Sequence, residues 1–167
     1  HYQPQVLSSS PGTLHGVEAL ARWNHPQWGM VPPSQLIPLA EDAGLIHELT
    51  LWLLDEACRQ LAAWRAQGAR LVPVSINVSA RQFERGGIVG RIEGALARHG
   101  VPPALLEVEI TESAMMGDRD EILAELAALR ALGVKLHIDD FGTGYSSLSQ
   151  LRTLRMDVLK VDRAFTA

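Results

Sequence analysis

The chain has 167 residues, with 47% apolar and 20% charged side chains and a formal net charge of −4, which supports one globular domain with a core. An acidic chain does not wrap a polymeric nucleic acid by bulk attraction, and no apolar run approaches the roughly eighteen residues that span a bilayer. The single cysteine, Cys58, excludes an internal disulfide. It lies in the helical pattern LLDEACRQLAAW and reads as a buried, reduced thiol, which fits a reducing compartment.

Taken along the chain, short apolar runs alternate with longer amphipathic stretches. YQPQV near the start reads as a strand and SSSPGT (8–13) as the tip before the next one, VEALARW (17–23). A helix follows over 47–67, with Leu49, Leu53, Ala57, Leu61 and Trp64 in helical spacing and Gly68 after its end. VPVSINVS (72–79) is the next strand. A helix over 88–99 carries Ile88, Ile92 and Leu96, then Gly100 and Pro102. LLEVEIT (105–111) is a strand. A helix over 118–132 opens on Asp118 and Glu121, continues with Ile122, Leu126 and Leu129, and closes at Gly133. VKLHIDD (134–140) and DVLKVD (157–162) complete the strands. Strand and helix in strict alternation predict parallel strands joined by crossovers, in an open sheet or a closed barrel. The four tryptophans, Trp23, Trp28, Trp52 and Trp64, read as packing.

Period two assigns the faces of these strands. In LLEVEIT, Glu107, Glu109 and Thr111 share one face, opposite Leu106, Val108 and Ile110. Ser75, Asn77 and Ser79 oppose Val74, Ile76 and Val78. Glu18, Leu20 and Arg22 align, as do Val158, Lys160 and Asp162. Parallel strands are normally apolar on both faces, because helices cover them. A central acid or lysine there is costly unless it is paired or bound to metal. Glu18, Asn77, Glu109, Asp139, Asp140 and Lys160, with Arg22 close by, cluster toward carboxyl ends, where such folds keep their sites. Converging carboxylates and an amide oxygen fit a hard divalent cation, Mg²⁺ or Mn²⁺. Adjacent acids can serve two ions, an arrangement suited to phosphodiester chemistry. His15, His25, His47 and His99 are placed in turns or on helices and form no HxxxH pair, which argues against zinc. DFG at 140–142 lacks the other kinase segments, and GTG lacks the lysine of a phosphate-binding loop.

These blocks together resemble a known family. YQP at 2–4, EAL at 18–20 within GVEALARWNHP, PLAEDAGLI at 38–46, NVS at 77–79, EITES at 109–113, DDFGTGYSSL at 139–148 and LKVDRAF at 159–165 look like an EAL domain, in that family's order and spacing. The resemblance implies a TIM-like (β/α)₈ barrel that hydrolyses the bacterial messenger cyclic di-GMP to linear pGpG with Mg²⁺ or Mn²⁺, Ca²⁺ being inhibitory. By motif match, Glu18, Asn77, Glu109, Asp139 and Asp140 would be metal ligands, Asp140 serving a second ion. Lys160 would position and activate the attacking water, and Glu112 would anchor the loop after the fifth strand. Gln3, Leu20, Arg22 and Gly142 would contact substrate, together with Asn77, Asp140 and Lys160. The resemblance further implies a homodimer and a longer parent with a GGDEF, PAS or other sensor domain. The domain would be cytoplasmic, its parent soluble or anchored to the inner membrane.

A barrel of this kind needs about 250 residues. Residues 1–167 are therefore expected to be a partial EAL domain covering about six of eight β/α units, and weak or dead as an isolated piece. The alternative reading is an inactive EAL domain that serves as a cyclic di-GMP receptor or interaction module.

Overall fold

The computed structural model describes residues 1–111, 119–142 and 156–165. Its frame is a six-stranded sheet in the order β1-β2-β5-β6-β7-β8. These strands are β1 (Tyr2–Val6), β2 (Leu14–Ala19), β5 (Val74–Asn77), β6 (Leu106–Thr111), β7 (Lys135–Phe141) and β8 (Val158–Val161). From β2 onward every neighbouring pair is parallel. β1 departs from the expected parallel order: it pairs antiparallel with β2, Gln3 opposite Glu18. The connection over 7–13 is too short for the crossover a parallel pair needs.

Helices cover one face of this curled sheet. In α2 (Ile46–Ala66), Leu54, Ala57, Cys58 and Leu61 are buried at helical spacing. In α4 (Ile88–His99) the buried stripe is Ile88, Ile92, Ala95 and Leu96, and α5 (Arg119–Leu132) buries Ile122, Leu126 and Leu129. These stripes meet Val74, Ile76, Leu106, Val108, Ile110 and Leu136 in one core. Each fully buried aliphatic side chain there stabilises the fold by about 1.5–3 kcal/mol. The Glu125 carboxylate of α5 accepts hydrogen bonds from the Gly87 and Val89 amides, at 3.0 and 3.3 Å, at the start of α4. It thereby satisfies donors that a helix start leaves open. Cys58 is fully buried, and burial pushes its thiol up to about 11.

Several elements differ from expectation. The strand expected over 17–23 begins earlier and ends at Ala19, so Leu20 and Arg22 do not continue the Glu18 face. Trp23 instead opens a separate hairpin, β3 (Trp23–His25) and β4 (Gly29–Val31). His15 and His25 therefore lie on strands, not in turns. The His25 imidazole accepts from the Gln27 and Trp28 amides to close the hairpin turn. Two tryptophans are not core: Trp28 is 68% and Trp52 57% exposed. Trp64 does pack, edge-on to Tyr2. Unforeseen helices run over α1 (Pro33–Asp42) and α3 (Ala80–Glu84). No helix among the described residues is long and apolar enough to cross a membrane.

Candidate active site

The face of the sheet away from the helices carries the polar residues, and they meet near the carboxyl ends of the parallel strands. Asn77 is the last residue of β5 and lies in register with Glu109 of β6. Its Nδ2 donates to Glu18 Oε1 at 2.9 Å. Lys160 Nζ of β8 donates to Glu18 Oε2 at 3.2 Å and to Glu109 Oε2 at 2.5 Å. Four residues from four strands thus form one hydrogen-bonded cluster, as the period-two reading required.

Burial sets the electrostatics. Glu109 is fully buried, which by itself would raise its pKa; His137, Lys160 and the Ser75 hydroxyl outweigh that and hold it at about 2. For Lys160, burial would release the proton, but Glu109 and Glu18 retain it and raise the pKa. The group is an ammonium at neutral pH. Asp139 moves up, chiefly through burial; Glu109 and Glu18 add to the rise while Lys160 opposes it. Asp140 is also raised, by burial and then by Asp139 and Asp162.

The backbone explains how two adjacent acids fit here. Pairing between β7 and β8 shifts register between Ile138 and Phe141, and Asp140 adopts φ 54, a conformation aspartate tolerates better than most residues. The irregularity re-aims side chains at a strand end, a frequent device beside active sites. Gly142 follows at φ 103, and a Cβ there would lie 2.8 Å from the Phe165 ring. In the structure the close approach that glycine permits is to this ring.

The remaining expected residues divide. Gln3 is drawn to Glu18 by strand register. Leu20 lines a pocket of about 420 Å³ beside Asn77 and Glu109, walled also by Pro33, Ile37 and Leu53. The Arg22 guanidinium donates to the Ala21 carbonyl at 2.8 Å. Glu112, Asp118 and the loop residues 143–148 lie outside the described residues. Sequence reasoning passed over Arg81, which lines the same pocket; its short helix gives no periodic signal. It also passed over His137, although the alternation Lys135, His137, Asp139 was visible along β7.

The donor set fits a hard divalent cation. Carboxylates of Glu18, Glu109 and Asp139 stand near one another with the Asn77 amide, and buried Glu109 Oε1 has no hydrogen-bond partner among the described residues. These oxygens are not yet gathered: among the described residues no three His, Cys, Asp or Glu side chains stand ready to hold an ion. The Lys160 ammonium stands between two of the acids instead.

A parallel α/β sheet with an acidic, lysine-bridged mouth defines the class of a barrel-type domain whose site sits at the strand ends. The EAL domain profile matches residues 1–167, and the chain belongs to the EAL domain family. MucR of Pseudomonas aeruginosa, a bifunctional diguanylate cyclase/cyclic di-GMP phosphodiesterase, is 49% identical over 165 residues, 99% of this chain and 24% of MucR. NbdA of the same species, a cyclic di-GMP phosphodiesterase, is 45% identical over 165 residues, 99% of this chain and 21% of NbdA. The chain thus spans about a quarter or less of these curated relatives. A solved PaMucR phosphodiesterase in complex with c-di-GMP superposes with a TM-score of 0.92 at 49% identity, covering 99% of this chain and 66% of that one. The TIM-barrel-like fold class expected from the sequence holds.

Proposed function

We propose that this domain binds cyclic di-GMP at the carboxyl ends of its strands and, within the full-length protein, hydrolyses one phosphodiester to give linear pGpG. The observation that carries the reading is the single cluster formed by Glu18, Asn77, Glu109 and Lys160 from four strands. Glu18, Asn77, Glu109 and Asp139 are the residues that would hold Mg²⁺ or Mn²⁺, with Asp140 beside them. When bound, such an ion supplies Lewis-acid stabilisation at the phosphate and a more acidic water.

The chain's own residues do the rest. Lys160 carries its proton at neutral pH, so Nζ acts as a donor: it orients the attacking water and meets charge developing on a phosphate oxygen. Arg22, just past the end of β2, and Gln3, beside Glu18 on the edge strand, contact the substrate, Arg22 at phosphate. The apolar pocket walled by Leu20, Pro33, Ile37 and Leu53 accepts a base, as ligand pockets with few polar groups do.

The test is incubation of the full-length protein with cyclic di-GMP and Mg²⁺, following pGpG by chromatography. Product is expected from wild type and none from Glu18→Ala. No product at micromolar wild-type enzyme contradicts the reading. A second reading, a receptor that binds without turnover, is favoured by the Lys160 ammonium standing between Glu18 and Glu109. Calorimetry that finds tight binding with no pGpG formed selects it.

A further inference from the structure

Beneath the mouth lies a layer of charge that the proposed reaction does not use. Glu107 and His137 are 2% and 3% exposed. Glu107 and Glu109 share the interior face of β6, and His137 is the register partner of Glu109 on β7. The imidazole stands between the two acids. Its Nε2 is 3.5 Å from Glu107 Oε2 and its Nδ1 is 3.8 Å from Glu109 Oε1. Lys135 Nζ approaches the other oxygen of Glu107 at 3.4 Å, and Lys160 Nζ takes the other oxygen of Glu109 at 2.5 Å. An alternating row therefore runs from the half-exposed Lys135 through buried Glu107, His137 and Glu109 to Lys160.

Packing alone does not account for a histidine here. Neither ring nitrogen has a hydrogen-bond partner among the described residues, and an unserved buried polar atom costs about 1–3 kcal/mol. An aliphatic side chain would fill the space without that cost, as Leu136 and Ile138 do on the opposite face. What the imidazole does reach is the Glu109 oxygen that Lys160 leaves free. A glutamate carboxylate can turn about its terminal torsion; one neighbour on each oxygen restricts that turn. We propose that His137, backed by Glu107, is a positioning residue that aims the Glu109 carboxylate at the cation site. The role rests on the metal-dependent reading above. It matches the way groups behind metal ligands orient them in other proteins.

The test uses the full-length chain and the variants His137→Leu, His137→Gln and Glu107→Gln. Mn²⁺ affinity is read without nucleotide from the electron paramagnetic resonance signal of the free ion, and unfolding midpoints are taken in EDTA. His137→Leu is expected to weaken Mn²⁺ binding by about 10–100-fold while keeping a cooperative unfolding transition in EDTA. His137→Gln, which keeps a donor, recovers most of the affinity. In turnover, His137→Leu loses kcat at low Mn²⁺, regains it as Mn²⁺ is raised, and keeps its KM for cyclic di-GMP. Mn²⁺ affinity within twofold of wild type in His137→Leu overturns the proposal. If that variant does not fold, Glu107→Gln decides: several-fold weaker Mn²⁺ binding supports the role and unchanged binding overturns it. A wild type that takes up no Mn²⁺ and makes no pGpG removes the hydrolase reading and this role together. An active wild type with unaffected variants removes the role alone.

Discussion

Lys160 Nζ on β8 lies 2.5 Å from Glu109 Oε2 on β6, although β7 separates their strands. The lysine stem crosses the curled interior to reach a fully buried acid. Breaking a buried pair by removing one partner leaves an uncompensated charge, at about 3–5 kcal/mol. Lys160→Met is therefore expected to lose about 3 kcal/mol of unfolding stability in EDTA, measured by urea titration. Hydrolysis should fall by about 10²–10⁴-fold, read as pGpG formed at saturating cyclic di-GMP. Wild-type turnover in this variant would remove Lys160 from the mechanism.

Glu109 supplies an acid-sensitive contribution. Its folded pKa, about 2, lies below the roughly 4.3 of an unfolded glutamate. The stabilisation is therefore present above pH ~4.3 and is lost as pH falls through the folded value. Denaturant midpoints of the EDTA-treated protein should drop between about pH 4.5 and pH 2. Glu109→Gln should flatten that part of the profile. Equal slopes in both proteins would contradict the assigned environment.

Asp139 has the opposite sign. Its pKa is raised, first by burial, so its contribution is favourable at low pH and is lost as pH rises through the folded value. At pH 7 and without metal its charge is destabilising. Asp139→Asn should raise the EDTA unfolding midpoint by roughly 2–4 °C, the shift of about 1 kcal/mol in a chain this size. The same variant should lose Mn²⁺ binding. Stability gained where function is lost is the usual behaviour of a residue kept for its site.

Gly142 has a role that period and composition could not disclose. At φ 103 alanine meets a backbone penalty, and its Cβ would have to displace the exposed Phe165 ring, which lies 2.8 Å from it. Gly142→Ala should cost about 1–3 kcal/mol in thermal unfolding. Adding Phe165→Ala should return the steric share only. Additive losses in the double variant would show that the two positions do not touch.

Much of the site was legible because charge on the covered strands of a parallel sheet is expensive. Glu18, Asn77, Glu109 and Lys160 stood out as polar residues at strand positions where aliphatics are the rule. The long helices were equally clear: the 88–99 prediction coincides with Ile88–His99, because Ile88, Ile92 and Leu96 share one stripe. What escaped notice was short or locally contradictory. α1 begins on Pro33 and contains Pro38, and proline argues against a helix interior unless the first turn absorbs it. β3 and β4 are three residues each, too few to show alternation. The antiparallel start depends on the brevity of one connection, and the Gly142–Phe165 contact on chain segments that only the fold brings together.

The most direct measurement is a manganese anomalous difference map from crystals of the full-length protein grown with Mn²⁺. The account predicts a peak bonded to oxygens of Glu18, Asn77, Glu109 and Asp139, at roughly the 2.0–2.1 Å of small hard cations, with Lys160 displaced from between the two glutamates. A peak elsewhere, or an interior still held by Lys160 alone at millimolar Mn²⁺, would contradict it.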